Sequence, residues 1–466
     1  MSPIHDPQLP DERACEQARL SRDARFDGLF FTAVTSTRIY CRPVCPAPSP
    51  KPQNVRYYGS AAAAEAAGFR PCLRCRPELA PGNDAWQRGD HVIARTLKLM
   101  EDGALDDLSM EAMAARVGVG SRQLRRLFVE RLGAPPISVH TTRRLLFAKQ
   151  LLTETALPVT EVALASGFRS QRRFNAAFLQ ANRMQPRELR RHPGAVNGDA
   201  ITLRLGYRPP YDFEALLAFL RGRALPGVEL VDEHSYARVF GPADAPGWLR
   251  LSAWPNGEHA LQLQLHCPQP MHMLGVVAKL RRMFDLDANP GSIIDTLKQS
   301  AVLAPLLRKR PGLRLPGGWD GFEIAVRAIL GQQVSVAGAR TLATRIVHRY
   351  GMPLTASPMP GLERLFPSPE ALADVDLREC GLTTARAATV RGVAQAVIAW
   401  WYSNNLEFVW LGLVGLADPP RHGRHASASA LSAFVLSSGA LPAAARRRIR
   451  SAAGNASGWL SARIAM

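Results

Sequence analysis

The 466-residue sequence contains no apolar run of the roughly 18 residues that a membrane-spanning helix needs. Its opening segment, MSPIHDPQLPDERACEQARL, also lacks the basic, apolar and small-residue order of a secretory signal. Cysteine is scarce, with seven residues in all, and the odd number argues against a framework of disulfide bonds. These absences predict a protein of the reducing cytoplasm with no membrane partner.

Acidic residues are also few relative to basic ones. The chain has 39 Asp and Glu against 58 Lys and Arg, which gives a formal net charge of +19 at pH 7. Much of the excess is arginine, whose planar guanidinium forms paired hydrogen bonds with phosphate better than lysine does. The charge favours a nucleic-acid partner without proving one, and the length predicts three or four domains.

Four of the cysteines form two close pairs, Cys41-x3-Cys45 and Cys72-x2-Cys75. Two such pairs are a suitable framework for a tetrahedral zinc site with four thiolate ligands. The simplest interpretation is a structural zinc clip, and the alternative is that one thiolate is a nucleophile. The other three cysteines stand alone and are predicted to be ordinary thiols: Cys15, Cys267 and Cys380.

The residues around these pairs carry a resemblance. The segments DARFDGLFFTAVTSTRIYCRPVCP and NVRYYGSAAAAEAAGFRPCLRCRPE resemble the amino-terminal domain of the Ada family, the adaptive-response proteins of bacteria, over nearly all of residues 20–78. The resemblance implies a zinc methyltransferase domain over residues 1–85, with Zn2+ held by the four paired cysteines. It further implies that Cys41 is the catalytic residue, which takes a methyl group from a methylated DNA phosphate.

The same resemblance implies contacts with DNA phosphates. Thr37 and Arg70 match the family's phosphate-contacting threonine and arginine. Pro48 stands where relatives commonly have an arginine after CRPSCPA, and Lys51 can take its place. Zinc with four thiolates carries two net negative charges, so methylation of Cys41 removes one charge that repels DNA. The prediction is a one-shot sensor that binds DNA more tightly after methylation.

Residues 91–192 have the apolar spacing of helices, and a helix-turn-helix pattern occurs in them twice. In LSMEAMAARVGVGSRQLRRLFVERLG a turn at Gly118 precedes a helix capped by Ser121, and in VTEVALASGFRSQRRFNAAFLQAN Ser170 caps the corresponding helix. The predicted buried faces are Leu124, Leu127 and Phe128 in the first helix and Phe174, Ala177 and Phe178 in the second. The predicted exposed faces are Arg122, Gln123 and Arg126 in the first and Gln171, Arg172 and Arg173 in the second.

Two such units joined by the helix VHTTRRLLFAKQLL, with SGF before the second recognition helix, resemble the AraC-type transcription-factor domain. The resemblance implies that the six exposed residues contact double-stranded DNA in successive major grooves. A zinc domain before an AraC-type domain is also the order of the Ada family. This order implies a transcriptional activator, which we expect to be monomeric and to contact RNA polymerase.

The second half of the chain carries a different pattern. In residues 199–287, ITLRLGYRPPYDFEALLAFLRGRALPGVELVDEHSYARVF predicts a strand, a capped helix and further strands, and HALQLQLHCP alternates like a half-buried strand. This region resembles the amino-terminal α+β domain of the AlkA glycosylase family. Residues 288–397, with GFEIAVRAILGQQVSVAGARTLATRIVHRYG, resemble part of that family's helix-hairpin-helix core. The resemblance implies that Gln333 stands at the position of a DNA-inserting leucine.

Residues 398–466 depart from the glycosylase pattern. No hairpin such as PGIGPWTA follows Val397, and Glu407 and Asp418 are the only acidic residues in this segment that can stand for the family's catalytic aspartate. The stretch NLEFVWLGLVGLADPPR resembles part of cation-pumping ATPases without their DKTGT motif, and the remainder is rich in Ala, Ser, Arg and Gly. This composition is typical of a low-complexity segment or of translation out of frame. We interpret the tail as a frameshift or fusion that removed glycosylase catalysis.

The predicted fold class is multidomain α+β: a small zinc-bound domain, an all-α tandem helix-turn-helix domain, an α+β AlkA-like amino-terminal domain and a partial all-α helix-hairpin-helix glycosylase domain. The favoured function is a DNA alkylation sensor that methylates its own Cys41 once and then activates alkylation-repair genes. The PCHR motif of Ada's second methyltransferase domain is absent, so repair of O6-methylguanine is not expected. The alternatives are a DNA-3-methyladenine glycosylase of base-excision repair with an added regulatory half, and a zinc-clipped regulator without chemistry.

Overall fold

The computed structural model describes residues 9–82, 91–101, 105, 108–190, 200–357 and 359–402. The chain divides into two compact units, with boundaries after Trp319, Ala339 and Pro367. The first and third of the resulting segments form the first unit, and the second and fourth form the second. The paired cysteines, the helix-turn-helix pattern and the α+β pattern therefore all belong to the first unit.

The amino-terminal domain is built on a small sheet. Its strands are β1 (Phe31–Val34), β2 (Ile39–Cys41), β3 (Val55–Tyr58) and β4 (Arg70–Pro71), in the order β3-β1-β2-β4. Helix α1 (Glu12–Ser21) precedes the sheet, and the short helix α2 (Ala61–Ala66) stands between β3 and β4 in the chain. Strand β2 pairs antiparallel with β1, where Thr32 lies opposite Cys41, and parallel with β4, where Ile39 lies opposite Arg70. The short strand β2 is therefore held from both sides.

A helical domain follows, and its helices reproduce the duplicated pattern in the sequence. They are α3 (His91–Glu101), α4 (Met110–Arg116), α5 (Ser121–Leu132), α6 (Pro136–Glu154), α7 (Val159–Ala165), α8 (Gln171–Asn182) and α9 (Pro186–Leu189). Helices α4 and α5 form the first helix-turn-helix unit, α7 and α8 form the second, and α6 is the connecting helix. Pro136 suits the start of α6, because its fixed φ is helical and its missing N–H would have no partner there.

The two recognition helices begin differently. Ser170 caps α8 as predicted, since its hydroxyl oxygen accepts a hydrogen bond from the Arg173 N–H at 3.4 Å. The prediction that Ser121 caps α5 is wrong, because Ser121 is the first helical residue and Gly120 occupies the capping position. Gly118 has a φ of 81°, so the predicted turn before α5 uses the left-handed conformation that glycine adopts without strain.

The α+β domain has an antiparallel sheet accompanied by helices. Its strands are β5 (Ile201–Gly206), β6 (Glu229–Val231), β7 (Ser235–Phe240), β8 (Gly247–Ala253) and β9 (Ala260–His266), in the order β5-β9-β8-β7-β6. Helix α10 (Phe213–Arg221), capped by Asp212, and helix α11 (Met273–Met283) belong to the same domain. The strand, capped helix and further strands that the sequence predicts are all present, and β9 shows the expected alternation of burial.

One hydrophobic core extends from the second helix-turn-helix unit into the α+β domain. Phe174 and Phe178 of α8 belong to the same cluster of buried residues as Leu263 of β9. The first helix-turn-helix unit has a core of its own, which contains the predicted residues Leu124 and Phe128. The second helix-turn-helix unit and the α+β domain therefore share one core, although the sequence places them in separate domains.

The remaining described elements are helical. They are α12 (Pro290–Leu297), α13 (Leu303–Lys309), α14 (Gly321–Gly331), α15 (Val336–Tyr350), α16 (Pro369–Leu372) and α17 (Thr384–Tyr402). Of the helices in the described part of the chain, none combines the length and hydropathy that crossing a bilayer requires. Residues 403–466 of the predicted tail, which include Glu407 and Asp418, lie outside the described residues.

Candidate metal centre

Four cysteine sulfur atoms meet at one end of the small sheet. Cys41 is the last residue of β2, Cys45 lies in the loop after it, and Cys72 and Cys75 follow β4. Because β2 and β4 run parallel and side by side, both cysteine pairs leave the sheet at the same end. The four Sγ atoms all lie within 4.8 Å of one another. The structure thus brings together all four predicted metal ligands.

Main-chain amides point at two of these sulfur atoms. The Arg42 N–H donates to Cys75 Sγ and the Arg74 N–H donates to Cys72 Sγ, each at 3.3 Å. A thiolate accepts such bonds better than a thiol does, because it carries a full negative charge. The amides therefore favour ionised sulfurs at these two positions.

Four ionised sulfurs at this spacing require a cation. Without a metal, the hydrogen bond with Cys41 lowers the pKa of Cys45 to about 7, whereas hydrogen bonds with Cys45 and Cys72 raise the pKa of Cys41 far above its ordinary value. The two pKa shifts have opposite signs because neighbouring thiolates repel each other, so that one sulfur stays protonated when the other ionises. Zinc at about 2.3 Å from each sulfur sets tetrahedral sulfur–sulfur distances of about 3.8 Å. The cluster is compact enough for that geometry, so its residues fit Zn2+.

The four sulfurs differ in their access to solvent. Cys72 and Cys75 are buried, with 7% and 6% of their surface exposed. Cys41 and Cys45 are only half-buried. An external reactant can therefore reach the first pair of cysteines more easily than the second.

The three isolated cysteines lie outside this cluster. Burial raises the pKa of the Cys15 thiol to about 12 and that of Cys267 to about 11, so both are protonated at neutral pH. Cys380 is buried and forms no disulfide. These observations agree with the prediction that they are ordinary thiols.

Arg42, which no sequence motif points to, links Cys75 of the metal centre to Asp27. Its guanidinium donates to the Cys75 carbonyl oxygen at 3.0 Å and, through Nε, to Asp27 Oδ1 at 2.9 Å. The side chains of Arg42 and Asp27 are 15% and 5% exposed. The arginine beside Cys41 is visible in the sequence, but only the fold shows that Asp27 and Cys75 are its partners.

The predicted phosphate-contacting residues lie beside β2. Thr37 is exposed in the turn between β1 and β2, and Arg70 is half-buried in β4. The Arg70 N–H donates to the Arg38 carbonyl oxygen at 2.9 Å, which holds the start of β4 against the turn that carries Thr37. Lys51 is exposed in the loop that follows the first cysteine pair. Thr37 and Arg70 are thus both close in the fold to the strand that ends at Cys41.

The residues predicted to face DNA from the recognition helices are all exposed in the structure: Arg122, Gln123 and Arg126 on α5, and Gln171, Arg172 and Arg173 on α8. Gln333 is also exposed, in the turn between α14 and α15, where its φ is 55°. A positive φ is unusual for a residue with a side chain, so this turn holds Gln333 in a strained conformation.

Comparison with known proteins gives matches along most of the chain. Residues 14–78 match the metal binding domain of Ada, 113–192 a helix-turn-helix domain, 202–320 the AlkA N-terminal domain, and 326–452 the HhH-GPD superfamily of base excision DNA repair proteins. A probable bifunctional transcriptional activator/DNA repair enzyme AlkA from Mycobacterium tuberculosis H37Rv is 36% identical over 400 residues, which cover 84% of this chain and 79% of the relative. The chain belongs to this family of bifunctional activators and repair enzymes. It is an Ada/AlkA-type protein.

Two relatives from Escherichia coli K12 resemble separate parts of the Ada/AlkA-type chain. The bifunctional transcriptional activator/DNA repair enzyme Ada is 40% identical over 120 residues, which cover 26% of this chain and 32% of Ada. DNA-3-methyladenine glycosylase 2 is 37% identical over 199 residues, which cover 42% of this chain and 66% of the glycosylase.

These matches confirm the predicted family, the multidomain fold class and zinc as the metal of the cysteine centre. The Ada/AlkA-type protein therefore combines a zinc-binding domain and a DNA-binding helix-turn-helix domain with AlkA-like glycosylase domains. The HhH-GPD match runs to residue 452. It therefore extends beyond Val397, the predicted end of the glycosylase resemblance.

Proposed function

We propose that the chain is a DNA alkylation sensor in which Cys41 accepts a methyl group from a methylphosphotriester in DNA. The position of Cys41 carries this proposal: it is half-buried at the end of β2, whereas Cys72 and Cys75 are buried. The same strand follows the turn that presents Thr37 to solvent. Cys45 is also half-buried, so the decisive experiment compares it with Cys41.

The transfer is a single displacement at carbon. Bound zinc keeps the cysteine sulfurs ionised at neutral pH and still nucleophilic. The Cys41 sulfur attacks the methyl carbon of the phosphotriester, and the carbon–oxygen bond breaks. The oxygen keeps the bonding electrons, so a phosphodiester anion leaves and no proton moves. The product is a thioether with no easy return path, so each protein molecule acts once.

The groups around Cys41 support this reaction in two ways. Arg42 and the Arg74 N–H hold Cys75 and Cys72 in place, which helps to present the attacking sulfur in one orientation. Thr37 and Arg70 bind phosphates next to the methylated one, which aligns the methyl carbon with the sulfur. Lys51 adds positive charge to the surface that faces the DNA phosphates in this proposal.

Methylation then acts as a switch for DNA affinity. It removes one of the two net negative charges of the zinc–thiolate centre and so reduces repulsion of the DNA backbone. Helices α5 and α8 present their arginine and glutamine side chains to successive major grooves. A cavity of about 420 Å³ beside α8, lined in part by Gln171, Arg187 and Arg190, suits a backbone phosphate. In this proposal the monomer, once bound, contacts RNA polymerase and activates repair genes.

The test is to incubate zinc-loaded protein with DNA that carries radiolabelled methyl phosphotriesters and to map the labelled residue by peptide mass spectrometry. We expect one methyl group per protein molecule, on Cys41, and none in Cys41→Ser. Cys45→Ser removes a sulfur ligand of similar exposure and is the matched control; it should still carry label on Cys41, at a reduced yield. Label on Cys45 or Cys75, or no label on the wild type, would overturn the assignment.

Release of alkylated bases is the second candidate activity, because residues 326–452 match the HhH-GPD superfamily. The segment after Val397 nevertheless lacks a recognisable PGIGPWTA-type hairpin, and Glu407 and Asp418 are its only acidic residues. A glycosylase needs an electrostatic stabiliser for the sugar cation that forms as the base leaves. We therefore propose that glycosylase turnover has been lost, and that Gln333 retains only a DNA-contacting role.

A further inference from the structure

The helix that connects the two helix-turn-helix units contacts one of the metal-ligating residues. Lys149 of α6 donates from Nζ to the Cys72 carbonyl oxygen at 3.0 Å and also pairs with the Glu78 carboxylate. The side chains of Lys149 and Glu78 are 1% and 0% exposed. A DNA-binding domain thus buries a lysine against a cysteine ligand of another domain.

The bond from Lys149 completes a set of contacts that fix Cys72. The Cys72 N–H donates to the Tyr40 carbonyl oxygen at 3.0 Å, and the Cys72 sulfur accepts from the Arg74 N–H at 3.3 Å. Lys149 binds the remaining main-chain group of the residue, its carbonyl oxygen. Two of these contacts come from the zinc domain itself, and the third comes only from α6.

A second contact on the same face of α6 reaches the residue beside Cys41. Thr142 lies two helical turns before Lys149, and its hydroxyl donates to Glu65 Oε2 at 2.6 Å. The other oxygen of Glu65 accepts from the Tyr40 hydroxyl at 2.9 Å. Because Tyr40 precedes Cys41, α6 is linked to both cysteine pairs by polar contacts, of which the one from Lys149 to Cys72 is buried. Glu65 is half-buried, and desolvation of its carboxyl raises the pKa above the ordinary range.

We propose that Lys149 is a positioning residue for the zinc–thiolate centre, acting through the Cys72 carbonyl, so that the DNA-binding domain completes the metal site of the sensor domain. Metal retention should then depend on the helical domain. The rate of methyl transfer should depend on it too, and this second consequence rests on the proposed function. Groups that hydrogen-bond to a metal-ligating residue typically contribute about 10- to 100-fold in metal affinity or activity.

The test uses the full chain, loaded with zinc or with Co2+ as a spectroscopic probe, and three variants. Lys149→Met removes the positioning bond but also leaves Glu78 buried without its lysine. The double variant Lys149→Met/Glu78→Gln removes both charges and keeps an oxygen for Arg76, which bonds Glu78 at 3.1 Å in the wild type. Arg238→Met breaks a buried ion pair with Glu229 in the α+β domain and is the matched control for a general loss of stability.

Three readouts separate positioning from folding: the sulfur-to-cobalt absorption bands, the rate of metal loss to a chelator, and the methyl-transfer rate at saturating DNA. We expect both Lys149 variants to show altered cobalt bands, metal loss about 10- to 100-fold faster, and a transfer rate reduced by a similar factor. The half-saturating DNA concentration should change little. Arg238→Met should match the wild type in all three readouts, whatever its melting temperature.

A double variant with wild-type cobalt bands and metal retention would overturn the proposal, because Lys149 would then serve only to neutralise Glu78. Equal changes in Arg238→Met would also overturn it, since the effect would be one of general stability. If the wild type transfers no methyl group, the proposed function fails, but the cobalt bands and metal loss still decide the role of Lys149. If Lys149→Met does not fold, the charge-free double variant decides it.

Discussion

Arg208 donates a hydrogen bond from its Nε to the carbonyl oxygen of Asp27 at 2.7 Å. Arg208 lies between β5 and α10 of the α+β domain and is completely buried, whereas Asp27 belongs to the zinc domain. The same guanidinium donates to the Asp287 and Ala288 carbonyl oxygens at 2.6 and 3.1 Å. Since the Asp27 side chain also pairs with Arg42, one chain of contacts joins the α+β domain to the metal centre.

Replacing Arg208 should therefore destabilise the zinc and α+β domains together. In Arg208→Met, carbonyl groups of both domains lose a buried donor, and each unsatisfied group costs about 1–3 kcal/mol. We expect the free energy of unfolding to fall by about 3 kcal/mol or more in urea denaturation followed by circular dichroism. Arg221→Met, at the exposed end of α10, is the control and should change it by only about 0.5 kcal/mol. Equal effects of the two substitutions would show that the buried contacts contribute nothing specific.

His140 of the connecting helix should make stability depend on pH. Burial, together with the charges of Arg144 and Arg143, lowers its pKa to about 4. Histidine in an unfolded chain titrates near 6.5, so between about pH 6.5 and 4 the unfolded state binds a proton that the folded state does not. The stabilising effect of neutral His140 is complete above about pH 6.5 and is lost as the pH falls, up to about 3 kcal/mol.

The measurement for His140 is the urea concentration at the midpoint of unfolding, at a series of pH values from about 7 to 5. Burial raises the pKa of the Glu65 and Glu154 carboxyls, so only the difference between the wild type and His140→Gln, which keeps both carboxyls, reports on the histidine. The wild type should lose stability over this range, and His140→Gln, which cannot be protonated, should lose less. Parallel pH profiles for the two proteins would contradict the assignment of this window to His140.

The charge switch predicts a specific dependence on salt. Protein methylated on Cys41 should bind promoter DNA more tightly than unmethylated protein, because the metal centre has lost one repelling charge. The difference should shrink as ionic strength rises, since the screening length falls from about 10 Å at 0.1 M salt to about 3 Å at 1 M. Fluorescence anisotropy titrations of both forms at several salt concentrations measure this. Equal affinities at low salt would rule out the switch.

The chain should release no 3-methyladenine from alkylated DNA. This follows from the proposed loss of turnover: loss of one electrostatic stabiliser alone costs about a hundred- to a thousandfold in rate, and no PGIGPWTA-type hairpin is recognisable after Val397. The assay is chromatography of bases freed by the purified chain, with DNA-3-methyladenine glycosylase 2 of Escherichia coli as the positive control. Base release that disappears in Asp418→Asn would refute this prediction and identify Asp418 as the stabiliser.

Features that depend on short stretches of sequence were predictable. The spacing of the cysteines predicts a metal site, and their four sulfurs do come together. The cap at Ser170 and the exposed faces of both recognition helices follow from helical spacing over a few residues, and the structure agrees. The cap at Ser121 was mispredicted because Gly120 fits the capping position as well, and local sequence does not distinguish the two.

The surroundings of the metal centre depend on contacts between residues that are far apart in the sequence. Lys149 and Cys72 are separated by 77 positions in the chain, and Arg208 and Asp27 by 181, so no local pattern connects them. The metal ligands, the recognition helices and the family could be predicted from the sequence, because these depend on residue type and spacing. Which helix supports which cysteine depends on how separate domains pack, and a buried lysine or arginine becomes stable only where that packing provides its partners.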